Sequence, residues 1–381
     1  MISYLCKEQK KECNQVINHI TPMAQSKGIN FKGQNIYVGI DVHLKSWHVT
    51  VLTESGFKRK HSQPSSALAL YEHLNRHYPG GIYHAVYESG FSGFSTYYSL
   101  MSYGIRCVIA HAADVPVGQY ESVMKNDAVD SDRLARALRD GSLRQTVYVP
   151  SKEILDHRGI LRFRMQLQKQ LCGYKSRVKH LLHNNGVCFP DCFSRSSTHW
   201  SSRFMLWLRE DVRLLSPTRE TLDLLMAQID RLRTDLLSVT RRIRELSRSE
   251  AYAARMELLL SIPGIGVLTA MHLLCEVENP ERFNGQRAFA SYLGLVPTSH
   301  DSGEKKRTGE MTFRGNKRLR TLLVESSWVA IGRDRALAAC YGELRRRMEP
   351  QEAIVRIARK LSNRILSVLK TGKRYEYERC C

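Results

Sequence analysis

Four acidic residues in the first half of the chain have the types and positions from which a metal site can be built. Asp41 and Glu88 each end a predicted strand, and Asp127 and Asp130 stand at the start of a predicted helix. Open α/β sheets place their sites at strand ends, and helical residues three apart face the same way. Converging carboxylates repel each other, and a bound Mg²⁺ or Mn²⁺ would relieve that repulsion. Two such ions about 4 Å apart would suit phosphodiester cleavage.

Each of these acids also has an ordinary structural explanation. Asp41 could cap a turn, Glu88 could be a solvated strand end, and Asp127 and Asp130 could cap a helix. Taken singly these explanations are the better ones, and only the four acids together favour the metal site.

A second candidate for a residue with a chemical role is Ser302, in the segment HDSGEKKRTGEMTFRGNKRLR. Asp-Ser-Gly is most often a simple turn, a solvated basic loop is the ordinary alternative, and Ser299 is a nearby competitor. Residues 303–320 hold seven basic and two acidic residues, which is enough to hold a phosphate and stabilise an oxyanion. The basic residues predicted to bind DNA are Lys305, Lys306, Arg307, Arg314, Lys317, Arg318 and Arg320.

Two further motifs carry weaker signals. Gly264 and Gly266 in PGIGVLTA let the backbone approach DNA closely, as in a helix-hairpin-helix element, although a tight helix turn explains them as well. His180, His183, Cys188 and Cys192 have a spacing that could bind zinc, but it is irregular and starts on a basic helix. We predict no zinc site there.

The elements that must position the acids alternate between strand and helix. Residues 36–41 and 47–51 predict a hairpin, 82–87 and 105–110 predict two more strands, and helices are expected at 65–77, 95–102 and from about 130 to Gly141. This block is therefore an α/β domain. Past Pro150 the strand signals stop, a long basic helix is expected at 153–183, and the last third is expected to be helical.

One later helix has a heptad pattern. The apolar residues recur in steps of three and four, namely Leu222, Leu225, Ile229, Leu232, Leu236, Val239, Ile243 and Leu246. This narrow stripe favours a coiled coil, with the preceding long helix or with another protomer, over a single core helix of a bundle.

Charge points to the partner. The 381 residues carry a formal net charge of +21, with 11 basic and 10 acidic residues between 35 and 150 but 42 and 25 after residue 150. Such a basic region favours a polyanion, and nucleic acid is the leading candidate. Ten cysteines at irregular spacing indicate reduced thiols, and no signal peptide or membrane span is expected. We therefore expect a cytoplasmic, nucleoid-associated protein.

Several motifs in order resemble one known family. YVGIDVHLKSWHVTVL, YESGFSGF, KNDAVDSDRLARALRDG, SIPGIGVLTA, YLGLVPTSHDSG and RGNKRLR look like the DEDD transposases of bacterial insertion sequences, which are bridge-RNA-guided recombinases. The resemblance covers about 35–332. Asn126 and Ser131 depart from the Thr and Ala expected in the third motif, but both of its carboxylates are present.

The resemblance implies a fold and a mechanism. It implies a RuvC-like, RNase H-like α/β nuclease domain at 35–150, a coiled-coil region at 151–248 and an all-α transposase domain at 249–381; residues 1–34 are an extension without an assigned role. It also implies that the four acids bind Mg²⁺ or Mn²⁺ and that Ser302 attacks a DNA phosphate. Donor and target DNA, a guide RNA and a second copy of the chain, in a dimer or tetramer, are the implied partners.

Three alternatives stay open. A junction-resolving endonuclease would need the acids but no nucleophilic serine. A catalytically inactive nucleic-acid-binding protein would need only the basic region. An actin-like ATPase ranks last, because the chain after Asp41 lacks a glycine-rich phosphate loop.

Overall fold

The computed structural model describes residues 30–111, 114–115, 127–143, 145–302, 305–312 and 314–377; the side chains at 127–128 and 298–310 lie outside the description. The chain divides into two compact units, Met1–Val149 and Pro150–Cys381. The four predicted domain ranges stay a prediction.

The first unit is a five-stranded sheet with helices, in the strand order β3-β2-β1-β4-β5. Strands β1, β2 and β3 are antiparallel neighbours, whereas β4 and β5 continue the sheet parallel to β1. This mixed sheet is consistent with an RNase H-like domain. Its elements are β1 Asn35–Val42, β2 Ser46–Thr53, β3 Lys58–Pro64, α1 Ala67–His77, β4 Ile82–Glu88, α2 Ser95–Ser102, β5 Arg106–Ala110 and α3 Asp127–Arg139.

The two faces of this sheet pack against different helices. Ile36, Val38 and Ile40 of β1 join one core with Leu70 of α1 and Leu100 of α2. On the other face, Val86 of β4 packs with Leu134 and Ala137 of α3. Because side chains alternate between faces along a strand, this division decides which residues meet α3.

Helix α3 lies close to β1 because of one glycine. A Cβ atom on Gly39 would overlap the backbone oxygen of Ser131 and the nitrogen of Ala135. Any larger residue at position 39 would therefore push α3 away from the strand.

The sequence-based prediction missed one strand of this unit. Strand β3, with the sequence KRKHSQP, is polar along its whole length and, among the described strands, pairs only with β2. An edge strand of this kind has no apolar alternation to reveal it.

The second unit is mainly helical. It contains α4 Lys152–Asn184, α5 Ser202–Glu210, α6 Ser216–Ser247, α7 Glu250–Leu260, α8 Val267–Val277, α9 Gln286–Tyr292, β6 Pro297–Ser302, β7 Lys305–Met311, α10 Lys317–Ile331, α11 Arg335–Arg345 and α12 Pro350–Thr371. Within the described ranges, no helix has both the length and the apolar character needed to cross a membrane.

The expectation of an all-α C-terminal region is wrong. Strands β6 and β7 form a two-stranded antiparallel sheet. The sequence of β7, KKRTGEM, lacks the apolar alternation that identifies a strand.

The heptad stripe of α6 is covered within the chain. Its Leu222, Ile229 and Leu232 are buried in a cluster with Leu171 of α4 and Phe204 of α5. Packing by two different helices is typical of a bundle. A coiled coil is therefore not confirmed, and pairing with another protomer stays a prediction.

Candidate functional site

Two of the predicted acids lie side by side at one edge of the five-stranded sheet. Ile40 of β1 pairs with Tyr87 of the parallel strand β4, so the next residues, Asp41 and Glu88, reach the strand ends at the same level. Ile40 and Tyr87 belong to the core under α1 and α2, so by alternation Asp41 and Glu88 face the side of α3. The register of the strands therefore places both carboxylates at the same level and on the same face of the sheet.

Helix α3 brings the third acid to Glu88 through an arginine. Nη2 of Arg133 lies 3.0 Å from Oε1 of Glu88 and 3.2 Å from Oδ1 of Asp130. The Arg133 side chain is 15% exposed, against 31% for Glu88 and 36% for Asp130. The guanidinium therefore neutralises two carboxylates that remain open to solvent.

Asp41 has a different neighbour. Its Oδ2 lies 3.0 Å from Nε2 of His43, whose side chain is 47% exposed. We call the four predicted acids, Asp41, Glu88, Asp127 and Asp130, the acid edge. The His43 imidazole, two residues after Asp41, is a polar group at this edge that was not selected from the sequence. The spacing Asp-x-His was the available signal.

The fourth acid, Asp127, is the first residue of α3, one turn before Asp130. Its side chain lies outside the described residues. Among those that are described, no group of three His, Cys, Asp or Glu lies close enough to hold a metal ion, either at the acid edge or around His180 and Cys188. The carboxylates of Asp41, Glu88 and Asp130 have the donor chemistry for a divalent cation, and Arg133 supplies a positive charge between Glu88 and Asp130.

Two further residues of α3 have structural roles that the sequence did not reveal. Ser131, where alanine was expected, forms a buried 2.9 Å hydrogen bond with the hydroxyl of Thr50 on β2. Asp132 is 8% exposed, and its Oδ2 accepts a 2.9 Å hydrogen bond from Lys58 of β3. Both contacts hold α3 on the sheet.

Ser302 is the last residue of β6, so its backbone is part of a strand and not of the solvated basic loop that was the ordinary alternative. Ser302 pairs with Lys305, Asp301 with Lys306 and His300 with Arg307. The competing Ser299 pairs with Thr308, nearer to the base of the hairpin. The backbone therefore separates the two serines along β6.

The base of this hairpin is held by a small set of contacts, which we call the hairpin clamp: Tyr292, Gly294, Thr312, Gly315, Asn316 and Arg320. Nη1 of Arg320 donates to the carbonyl oxygens of Gly294, at 3.1 Å, and Thr312, at 3.0 Å. The backbone N–H of Asn316 donates to the Tyr292 carbonyl at 2.7 Å. Gly315 lies against the backbone of Gly294 where a Cβ atom has no room.

A buried carboxylate contacts the clamp through Asn316. Glu276 of α8 has a side chain only 4% exposed and binds Arg162 of α4 through both oxygens, at 2.8 and 3.0 Å. Its Oε2 also accepts a 3.2 Å hydrogen bond from Asn316, whose own side chain accepts from the N–H of Leu319 at the start of α10. A buried charge bound in this way fixes the orientation of its partners.

The remaining predicted DNA-binding residues are distributed around the clamp. Arg314, Lys317 and Arg318 are exposed, whereas Arg320 is half-buried in the clamp. Lys305, Lys306 and Arg307 lie on β7, and their side chains are outside the described residues. Contact of all these residues with DNA stays a prediction.

The two glycines of PGIGVLTA differ. Gly264, at φ +83°, lies against the backbone of Ser326 and Ala330 in α10, where a side chain would overlap. Gly266 precedes α8, is exposed, and has open space where a Cβ atom would stand. Helices α7 and α8 are therefore joined by a tight turn that Gly264 fixes, and a helix-hairpin-helix grip on DNA is not confirmed.

Family models match both regions described above. A DEDD transposase model of the IS110 type matches residues 38–185, which include Asp41, Glu88, Asp127 and Asp130. A model of the transposase IS116/IS110/IS902 family matches residues 256–342, which include Ser302 and the hairpin clamp.

Individual relatives carry the same descriptions. A protein of Sinorhizobium fredii named as a transposase is 26% identical over 76% of this chain and 66% of its own length. The transposase for insertion sequence element IS1533 of Leptospira borgpetersenii is 24% identical over 77% of this chain and 85% of its own. The transposase for IS1111A of Coxiella burnetii is 26% identical over 55% of this chain and 56% of its own.

Proposed function

Because the chain carries the DEDD and C-terminal transposase domains of the IS110/IS116 family, we propose that it is a DNA transposase that cleaves and exchanges strands through two sites, the acid edge and Ser302. The acid edge consists of Asp41, Glu88, Asp127 and Asp130. The activity, the substrates and the partners of this chain are all part of the proposal.

The observation that carries this proposal is the register of β1 and β4. It places Asp41 and Glu88 at one level and on the face of α3, where Glu88 and Asp130 share a single guanidinium nitrogen. Carboxylates that share a cation in this way have the chemistry to hold Mg²⁺ or Mn²⁺. A bound divalent cation would polarise a phosphodiester oxygen and favour cleavage.

Ser302 is the proposed nucleophile. Its hydroxyl loses a proton as Oγ bonds to phosphorus, the bond between phosphorus and the leaving strand breaks, and the leaving oxygen takes up a proton. The product is a phosphoserine-linked DNA end, which the hydroxyl of a second DNA end can attack to release the serine. The basic residues after Ser302 would stabilise the charge on phosphorus.

A guide RNA is a proposed partner, together with donor and target DNA and a second copy of the chain. Helices α4 and α6 border a cavity of about 510 Å³ lined by Lys169, Tyr174, Arg177 and Gln228. The guanidinium of Arg177 lies 4.9 Å from the centre of the Tyr174 ring. Basic and aromatic groups in one groove suit a nucleic-acid backbone with exposed bases, which supports an RNA-binding role.

The covalent intermediate is the test of this function. Incubation with element-end DNA and Mg²⁺ should leave a fraction of the protein joined to DNA after denaturation, and Ser302→Ala should eliminate that species without greatly weakening DNA binding. Ser299→Ala is the matched control on the same strand and should retain the adduct.

Two outcomes would contradict the assignment. Loss of the adduct in Ser299→Ala but not in Ser302→Ala would move the nucleophile three residues upstream. Cleavage that continues in both variants without a covalent species would indicate hydrolysis at the acid edge, as in a junction-resolving nuclease.

A further inference from the structure

A cavity of about 250 Å³ lies at the strand edge that carries Asp41 and Glu88. Its walls come from the two segments that follow these acids. Val42 and Leu44 follow Asp41, and Phe91 and Ser92 follow Glu88. Ala67 of α1 and Ser95 of α2 also line the cavity, so it lies on the side of the sheet opposite α3. The acids and the cavity therefore lie at the same end of the strands but on opposite faces of the sheet.

The rim of the cavity is apolar and exposed. Leu44 is 79% exposed on one segment, and Phe91 is 63% exposed on the other. Large apolar side chains this exposed, facing one cavity from two segments, are typical of a binding surface. Neither side chain belongs to the core of the first unit.

The wall of the cavity also contains polar residues. Ser65, Ser92, Thr96 and Ser99 line it together with the buried ring of Trp47. The lining therefore combines large apolar side chains with residues that carry a hydroxyl group.

We propose that this cavity takes one unpaired base of the DNA strand whose phosphodiester lies at Asp41 and Glu88. A base is flat and apolar on its faces, which suits Phe91 and Leu44, and its polar edge suits a wall that contains serine and threonine residues. The volume is below the range of about 300–1,000 Å³ that whole small-molecule ligands need. Stacking on Phe91 would not depend on sequence, because every base has an aromatic face.

The proposal rests on the proposed function, because that function brings a DNA strand to this edge. Strand exchange separates paired strands, and a base held in the cavity would keep the cleaved strand unpaired beside the acids. Phe91, Leu44 and Trp47 are then positioning residues, since none of them reaches the phosphate.

Photocrosslinking tests the proposal without requiring turnover. The full chain is mixed with a single-stranded DNA oligonucleotide that carries 5-iodouracil near the cleavage position and is irradiated, and the crosslinked peptide is identified by mass spectrometry. The crosslink is expected at Phe91 in the unchanged protein and in Asp41→Asn. Phe91→Ala should weaken binding of this oligonucleotide about tenfold, the scale of losing one stacked base.

Phe57→Ala is the matched control, because Phe57 is 55% exposed between β2 and β3, outside the cavity wall. It should leave both the affinity and the crosslink unchanged. Leu44→Ala removes the exposed apolar side chain of the other segment and should also weaken binding of this oligonucleotide.

The outcomes separate the cavity from the function. No crosslink at Phe91, equal effects of Phe91→Ala and Phe57→Ala, or the same loss of affinity in Phe91→Ala for a fully paired duplex of the same sequence would overturn the cavity proposal. A Ser302 adduct without a Phe91 crosslink leaves the proposed function and removes the base cavity. A Phe91 crosslink without any adduct supports the cavity and removes the proposed serine chemistry.

Discussion

The acid edge and the Ser302 hairpin hold their residues by different means. Asp41 and Glu88 lie on neighbouring strands inside a five-stranded sheet, with the paired backbone on both sides of β1 and β4 fixing their level. Ser302 lies on a two-stranded hairpin that belongs to no larger sheet. Its strands are fixed at the base by the hairpin clamp.

This difference predicts how substitutions reduce activity at each site. Changes to a carboxylate at the acid edge alter chemistry while the sheet keeps the geometry. At the hairpin, Arg320 contacts the backbone of Gly294 and Thr312 at the base of the strands, and we expect it to influence the position of Ser302 through them. We therefore expect the acid edge to fail by loss of charge and the hairpin to fail by loss of position as well.

The largest effect is expected at the acid edge. Asp41→Asn, Glu88→Gln, Asp127→Asn and Asp130→Asn should each reduce strand transfer in Mg²⁺ by about 100-fold or more, the scale of losing an electrostatic group in the transition state. Thermal melting and circular dichroism should be unchanged, because the amides keep the shape of the side chains. Near-normal recombination in any two of the four variants would refute the assignment.

A smaller effect is expected from the hairpin clamp. Arg320→Ala removes the donor shared by the Gly294 and Thr312 carbonyls, and displacement of Ser302 should slow adduct formation about tenfold. Arg318→Ala removes the same charge from an exposed position of α10 and is the control.

The two arginine variants separate position from charge. They should lose similar DNA affinity, whereas only Arg320→Ala should slow the covalent step. If both variants lower affinity equally and neither slows adduct formation, Arg320 acts as a phosphate ligand and the clamp has no catalytic consequence.

The basic surface of the second unit predicts a salt effect. Replacing both Lys317 and Arg318 with alanine should lower the slope of log K against log salt by about 2, since each lost phosphate contact releases about one counterion fewer. Fluorescence anisotropy with labelled duplex between 50 and 300 mM salt is the measurement. An unchanged slope would place the DNA-binding surface elsewhere.

The smallest expected effect is a pH dependence of the stability of the first unit. His61 and His73 stack at 3.8 Å, and His73 and His77 lie 4.5 Å apart, beside Arg59 and Arg76. Burial is the largest cause that lowers the pKa of all three, that of His73 to about 3, and the charge of Arg59 lowers all three further, while a hydrogen bond with Gln63 partly offsets the shift at His61. A His whose folded pKa lies below its unfolded value of about 6.5 stabilises the fold above that pH and loses this contribution as pH falls.

The melting temperature of the first unit should therefore drop as pH falls below about 6.5. His73→Phe should flatten that dependence, and His180→Phe, at an exposed position of α4, should not. Identical pH profiles for the two variants would show that the cluster does not set acid stability.

Much of the first unit was predictable from the sequence. The predicted hairpin at 36–51, the strands near 82–87 and 105–110, and the three helices are confirmed within a few residues, because alternation and helical periodicity arise directly from burial on one face. The placement of Asp41 and Glu88 at strand ends followed from the same pattern. The polar strands β3, β6 and β7 were missed because none of them has the apolar alternation that reveals a strand.

Other features depended on contacts between distant segments. Arg133 joins Glu88 across 45 residues, Asn316 joins Glu276 across 40, and Arg320 joins Gly294 across 26. A polar residue gives no periodic signal about which partner it will meet, because its hydrogen bonds are chosen only after the elements have packed. The sequence by itself determined the apolar strands, the helices and the types of the candidate residues. Only the tertiary structure decided that an arginine bridges two of the acids and that a clamp holds the base of the serine hairpin.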